Sequence, residues 1–306
     1  ISSTMLTFLK SGDHAVIQND IYGGTRSFIE SHFKNYGIDY SFTKDLSSEA
    51  FEDCIQENTK LIYIETPSNP LLKLVDLFAI AKLAKSHRIV TAADNTFASP
   101  IVQNPLDLGV DIVMHSATKY FGGHSDISAG AVASSQEIMD KIWNLSKDFG
   151  GNLSDYTVWL LERSMKTLGI RVKAQQRNAK RLAKFLNKHT AVKSVYYPGL
   201  KTNEYHGLAK IQMKGFGAMM SFELTEEYNA EAFLKALELI KPSMSLAGVE
   251  STMLLPCKTS HALLSDSDRL SQGITDQLIR FSVGIENKSD LINDIEQAIS
   301  ASHSKR

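Results

Sequence analysis

Asp111-Ile112-Val113-Met114-His115-Ser116-Ala117-Thr118-Lys119-Tyr120 runs from a short apolar segment straight into a lysine flanked by hydroxyls. The run from Val110 to Met114 is too short for a buried helix and suits a strand covered on both faces. Working outward, Ala15-Val16-Ile17, Leu61-Ile62-Tyr63-Ile64 and Ile89-Val90-Thr91-Ala92-Ala93 have the same character. Between the last two lies a helical pattern, Leu77 to Ser86, with Phe78, Ile80, Ala81 and Ala84 on its apolar side. Such alternation predicts an α/β fold built on a mostly parallel sheet.

The second half changes character. A helix from about Asp155 to Leu168 leads into a basic amphipathic stretch, Arg171 to Lys188, in which Arg177, Lys180, Arg181, Lys184 and Lys188 form a solvated face. Strand-like segments follow at 192–197, 218–224 and 279–283, with helices at 230–239 and 289–300. This predicts two domains, 1–168 and a smaller α/β domain over 169–306. The chain of 306 residues carries a formal net charge of −1, which argues against a nucleic-acid or acidic-membrane partner. Its longest apolar runs fall short of a membrane span. Cys54 and Cys257 form no metal-ligand or C-x-x-C spacing, so the expected setting is reducing and cytoplasmic, with no metal. Ile1 opens the chain inside a helical pattern without an initiator methionine, and a segment before it is expected.

In parallel sheets ligands gather at the carboxyl ends of strands. Lys119, Ser116, Asp94 and Asn69 all follow strands at that end. A desolvated lysine is nucleophilic near neutrality, two hydroxyls (Ser116 and Thr118) can bind a phosphate, and a strand-end aspartate can pair with a protonated ring nitrogen. That set predicts pyridoxal 5'-phosphate (PLP), with Lys119 as its Schiff-base amine. Tyr22, in Tyr22-Gly23-Gly24-Thr25, would stack on the ring, and Asn69 would bond its hydroxyl. The helix start at Ile1, Ser2 and Ser3 offers free N–H groups to an anion, and Arg280 suits a substrate carboxylate. Each has a plainer alternative: a surface lysine, an N-cap aspartate, a turn asparagine, a core tyrosine, a surface ion pair. His115 and His124 flank the lysine without metal-ligand partners and are read as supporting or core residues. Gly215-Phe216-Gly217 precedes a strand and is no dinucleotide loop.

Taken together, Tyr22-Gly23-Gly24-Thr25, Glu65-Thr66-Pro67-Ser68-Asn69-Pro70, Asp94-Asn95-Thr96-Phe97, Ser116 to Asp126, Ser245 to Ser251 and Arg280 to Glu286 resemble the Cys/Met-metabolism (transsulfuration) PLP enzymes, in the same order along the chain. The resemblance implies PLP fold type I, the aspartate-aminotransferase-like architecture, and homotetramers built from catalytic dimers. It implies Lys119 as cofactor anchor and proton carrier, and Tyr22 as a second catalytic group. Asp94, Ser116, Thr118, Asn69 and Ile1 would lie around the cofactor, and Arg280, Ser251, Glu250 and Asn69 around the amino-acid substrate. It further implies a Tyr-x-Arg pair and a glycine upstream of Ile1.

Glu250 in Gly-Val-Glu-Ser is similar to cystathionine γ-lyases and γ-synthases, whereas Gly24 stands where methionine γ-lyases carry cysteine. Ser27 stands where many cystathionine-handling members have arginine, with Arg26 one step earlier. The expected activity is therefore cleavage or formation of C–S bonds of cystathionine or an activated homoserine. Cystathionine β-lyase, O-acylhomoserine sulfhydrylase and a non-catalytic relative of the fold are the alternatives.

Overall fold

Strands β1 (His14–Ile17), β2 (Asp39–Phe42), β3 (Thr59–Glu65), β4 (Val90–Asp94), β5 (Ile112–Ser116) and β6 (Gly130–Ala133) form one sheet in the order β2-β1-β3-β4-β5-β6. They are seen in a computed structural model that describes residues 1–262 and 265–303. Every pair from β2 to β5 is parallel, and β6 closes the edge antiparallel to β5.

Side chains alternate across the sheet, so each strand feeds two cores. On one face Ala15, Ile17, Leu61, Tyr63, Ala92, Ile112 and Met114 pack with Met5, Ile29, Phe33 and Ile142. These last four lie on or directly after α1 (Ser2–Phe8), α2 (Gly23–His32) and, further on, the helix Gln136–Asp148. On the other face Val16, Ile62, Ile64 and Ala93 meet Phe51, Leu77, Ile80 and Ala84, from α3 (Ser48–Glu52) and α4 (Leu77–Ser86). Asp76 caps α4, its carboxylate accepting from the Ala79 amide at 3.0 Å. The helix at Gln136–Asp148 is α5, and Ser135 caps it in the same way.

Two compact units divide the chain. The first comprises Ile1–Asn69, Lys73–Ala117 and Ser128–Leu161, and the second Pro70–Leu72, Thr118–Ile127 and Glu162–Arg306. A single cut near residue 168 does not anticipate that 70–72 and 118–127 cluster with the second unit. Its sheet is mostly antiparallel and runs β7 (Val192–Tyr196), β8 (Met219–Leu224), then β11 (Leu278–Ser282), β10 (Thr252–Leu254) and β9 (Lys241–Pro242). The helices are α6 (Asp155–Met165), in which the chain leaves the first unit, α7 (Leu168–Leu186), α8 (His206–Gln212), α9 (Ala230–Ala236), α10 (Asp266–Ser271) and α11 (Lys288–Ala301).

Two features differ from the sequence reading for physical reasons. The α9 helix ends at Ala236, short of the expected 239, because Leu237 turns extended and the buried Asp294 accepts the amides of Glu238, Leu239 and Ile240. On α7 the side chains of Arg177, Lys180, Arg181 and Lys184 do face solvent, as does Lys188 just past its end. Arg171, where that basic stretch begins, is instead only 5% exposed.

Candidate active site

In the first sheet β1 lies between β2 and β3, so the chain leaves the carboxyl ends of β1 and β3 in opposite directions, towards α2 on one face and α4 on the other. Such a reversal opens a crevice at the strand ends, where ligands settle. Gln18, just past β1, zips the two strand ends together. Its side-chain N–H donates to the Glu65 carbonyl at 2.9 Å, and its carbonyl accepts from the Glu65 amide at 2.9 Å.

Glu65 then turns its carboxyl group into the crevice and accepts from the Tyr22 amide at 2.7 Å and from the backbone amide of Asn69. Two candidate residues on separate loops are thereby fixed to one buried acid. Burial first, and the nearby Asp94 second, push the Glu65 carboxyl well above the ordinary glutamate range. Sequence reasoning quoted Glu65 within a motif but gave it no role; its signal is an acid closing an otherwise apolar strand.

Asp94 closes β4 opposite Glu65 in register. Its Oδ1 accepts from the Thr96 amide at 2.9 Å, while the Thr96 hydroxyl accepts from the Ser116 amide at 2.8 Å. Burial raises the Asp94 pKa, and its bonds to Thr96 pull the other way. Tyr22 is the N-cap position of α2 and is 50% exposed. Gly24 makes room for that ring: a Cβ there would lie 2.5 Å from the Tyr22 Cε1. A cavity of about 420 Å³ opens beside them, lined by Ile1, Tyr22, Thr25, His115 and Ser116. His115 is pushed down to about 4 by burial and stays a neutral imidazole. Arg26 points elsewhere, bonded to Glu30 and Asn19 and stacked 4.1 Å over Phe42.

The second unit holds Thr118, Lys119, Glu250, Ser251 and Arg280. Desolvation lowers the Lys119 pKa, and the positive charge of Arg280 lowers it further. Arg280 sits in β11, 4% exposed, and donates to the Met244 carbonyl at 3.0 Å. Ser251 is fully buried, with its hydroxyl donating to Glu286 at 2.9 Å and accepting from the Gly284 amide at 2.9 Å. Glu250 accepts from the Ser125 hydroxyl at 3.0 Å. His124 is exposed and bonds the Gly122 carbonyl at 2.7 Å, so it is no core residue.

The donor set fits PLP. Burial makes the Asp94 carboxyl costly to ionise, and a protonated ring nitrogen beside it would favour the charged form. A lysine amine made less basic by burial and a neighbouring guanidinium is the nucleophile that carbonyl chemistry needs. Among the described residues no cluster of His, Cys, Asp and Glu could hold a metal ion, and no helix is long and apolar enough to cross a membrane.

A sequence model of the Cys/Met metabolism PLP-dependent enzymes matches residues 1–300. A cystathionine gamma-lyase of Bacillus subtilis (strain 168) is 46% identical over 300 residues, 98% of this chain and 79% of that protein. A cystathionine beta-lyase of Lactococcus lactis subsp. cremoris (strain MG1363) is 43% identical over 296 residues, 96% of this chain and 78% of the relative. Among solved structures, cystathionine gamma-lyase from Lactobacillus plantarum complexed with L-serine superposes with a TM-score of 0.95 at 43% identity, covering 98% of this chain and 79% of that one.

Proposed function

Because the chain belongs to the Cys/Met metabolism PLP-dependent enzyme family, we propose that it breaks or forms carbon–sulfur bonds of cystathionine and homoserine derivatives, as a cystathionine γ-lyase or γ-synthase. When bound, PLP supplies an electron sink for charge left on the substrate carbon. Lys119 is the amine that would carry the cofactor and afterwards take and return the proton at the substrate's Cα. Asp94 would face the ring nitrogen and Tyr22 the ring plane. Asn69 would face the ring hydroxyl, and Ser116, Thr118 and the amides at Ile1 the phosphate. Arg280 would bind the α-carboxylate as a planar fork, with Ser251 shaping the turn around it and Glu250 at the far end of the substrate.

The observation that carries this reading is the family match over residues 1–300, with burial first and Arg280 second lowering the basicity of Lys119 and so leaving its amine reactive. A relative named for β-cleavage nearly as similar as one named for γ-cleavage supports the β-lyase as second reading. Product analysis with cystathionine decides: 2-oxobutyrate and cysteine for γ-cleavage, pyruvate and homocysteine for β-cleavage. Turnover only with O-acylhomoserine and a thiol would mark a synthase. No turnover of any of these would sink the proposal.

A homo-oligomer, a tetramer on the family pattern, is proposed as the working state. It is supported by Trp143, Phe149, Tyr156 and Trp159, each more than half exposed in the first unit, an apolar surface that monomers seldom leave bare. A cytoplasmic setting is proposed on the free thiols of Cys54 and Cys257.

A further inference from the structure

The charged outer face of α7 drew notice in the sequence, but its inner face carries three polar side chains at 171, 175 and 178, an i, i+4, i+7 spacing that shares one stripe. Arg171 donates to the carbonyls of Tyr120 at 2.8 Å and Phe121 at 3.2 Å, immediately after Lys119. The same guanidinium is anchored within its own helical region by the Ser164 carbonyl at 2.9 Å and the Thr167 hydroxyl at 3.0 Å. The turn it grips closes on itself, with the Gly123 amide donating to the Lys119 carbonyl at 2.7 Å. Gly123 has φ +71°, and a Cβ there would run into the guanidinium, so lysine turn and arginine are fitted to each other.

One helical turn on, Gln175 donates to the Gly248 carbonyl at 2.7 Å. Its neighbour Ala247 sits in the left-handed region at φ 64°, strain that a non-glycine residue keeps only when its surroundings enforce it. Asn178 donates to the carbonyls of Gly284 at 3.1 Å and Glu286 at 2.8 Å. Two backbone bonds stitch the three gripped segments to one another: Val249 N–H to the Gly123 carbonyl at 2.9 Å, and Ile285 N–H to the Val249 carbonyl at 2.8 Å.

We propose that Arg171, Gln175 and Asn178 are positioning residues, a splint that sets the Lys119 turn in register with the Glu250–Ser251 loop and with the segment following Arg280. The proposal rests on the functional reading only for what those segments do. The alignment itself is a property of the second unit alone.

The test uses the intact chain and three variants: Arg171→Lys, which keeps the charge and loses the fork, Gln175→Met and Asn178→Leu. Amide hydrogen exchange is read first, on the protein as purified. Arg171→Lys is expected to speed exchange in 119–123, and the other two in 245–251 and 284–286, by roughly tenfold or more, with exchange in the first sheet unchanged. In the PLP-loaded protein, loosening the turn hydrates Lys119, so Arg171→Lys is expected to raise the pH midpoint of the visible-edge absorbance band. Gln175→Met and Asn178→Leu are expected to raise KM for cystathionine roughly tenfold with kcat nearly unchanged, as when binding common to ground and transition state is lost.

Folded variants with native exchange in these segments, native band midpoint and native KM would overturn the splint. Should Arg171→Lys not fold, Asn178→Leu at a half-buried position decides through exchange in 284–286. A wild-type chain that takes up no PLP, or turns over no cystathionine, would count against the functional reading, while the exchange results would still decide the splint.

Discussion

Glu65 shows how a single acid organises a loop cluster. Its carboxyl group receives two backbone amides, Tyr22 and Asn69, and burial keeps it inclined to the neutral form. A neutral acid with that job is closely imitated by glutamine, whose carbonyl accepts as well. Glu65→Gln is therefore expected to bind PLP nearly as tightly as the native chain. Glu65→Ala leaves the Tyr22 and Asn69 N–H groups without their acceptor, a loss of about 1–3 kcal/mol each at most, and PLP affinity in a fluorescence titration should fall by roughly tenfold or more. Equal affinities for the alanine variant and the native chain would refute the role. The sequence offers Lys119, Asp94 and Tyr22 as candidates because each combines a reactive or aromatic group with a strand end or a glycine pair. It hid Glu65 and Arg171. A carboxylate that serves amides, and a cation turned inward among cations turned outward, look in one dimension like any surface charge.

At the level of elements, strands buried on both faces and helices of strong periodicity were readable from composition alone. Such were β3, with six of its seven residues buried, and α4. The short edge strands β2 and β6 were not, since Asp39-Tyr40-Ser41-Phe42 is half exposed and Gly130-Ala131-Val132-Ala133 is built from small residues. Nor was the end of α9, which is decided by Asp294 more than fifty positions away in sequence. That capture makes a prediction. Asp294→Ala removes an acceptor shared by three backbone amides, two from the exposed Glu238 and Leu239 and one from the buried Ile240. It should destabilise the protein by about 2–4 kcal/mol, read as a lowered urea midpoint. A midpoint within error of the native one would show that water satisfies those amides.

Across the whole molecule, buried titratable groups make stability depend on pH in two opposing senses. Burial pushes His115 in the folded chain down to about 4, from an ordinary value of 6.5. As pH falls through that window the unfolded chain takes up a proton that the folded chain refuses, so stability is lost, by about 3 kcal/mol in full. His115→Gln is expected to flatten the acid limb between those values in a series of thermal melts. Asp94 and Glu65 act in the opposite sense. Their folded pKa values are raised, so their stabilisation is present at low pH and lost as pH rises above the ordinary carboxylate range. PLP should reverse that loss at Asp94 by supplying a cation.

The proposed chemistry turns on Lys119, and borohydride reduction of the PLP-loaded protein followed by peptide mapping tests it most directly. The native chain should show an absorbance band at the visible edge that borohydride abolishes, with the reduced cofactor on the peptide containing Lys119 and no such band in Lys119→Ala. Label on a different lysine, or a band that persists in Lys119→Ala, would contradict it.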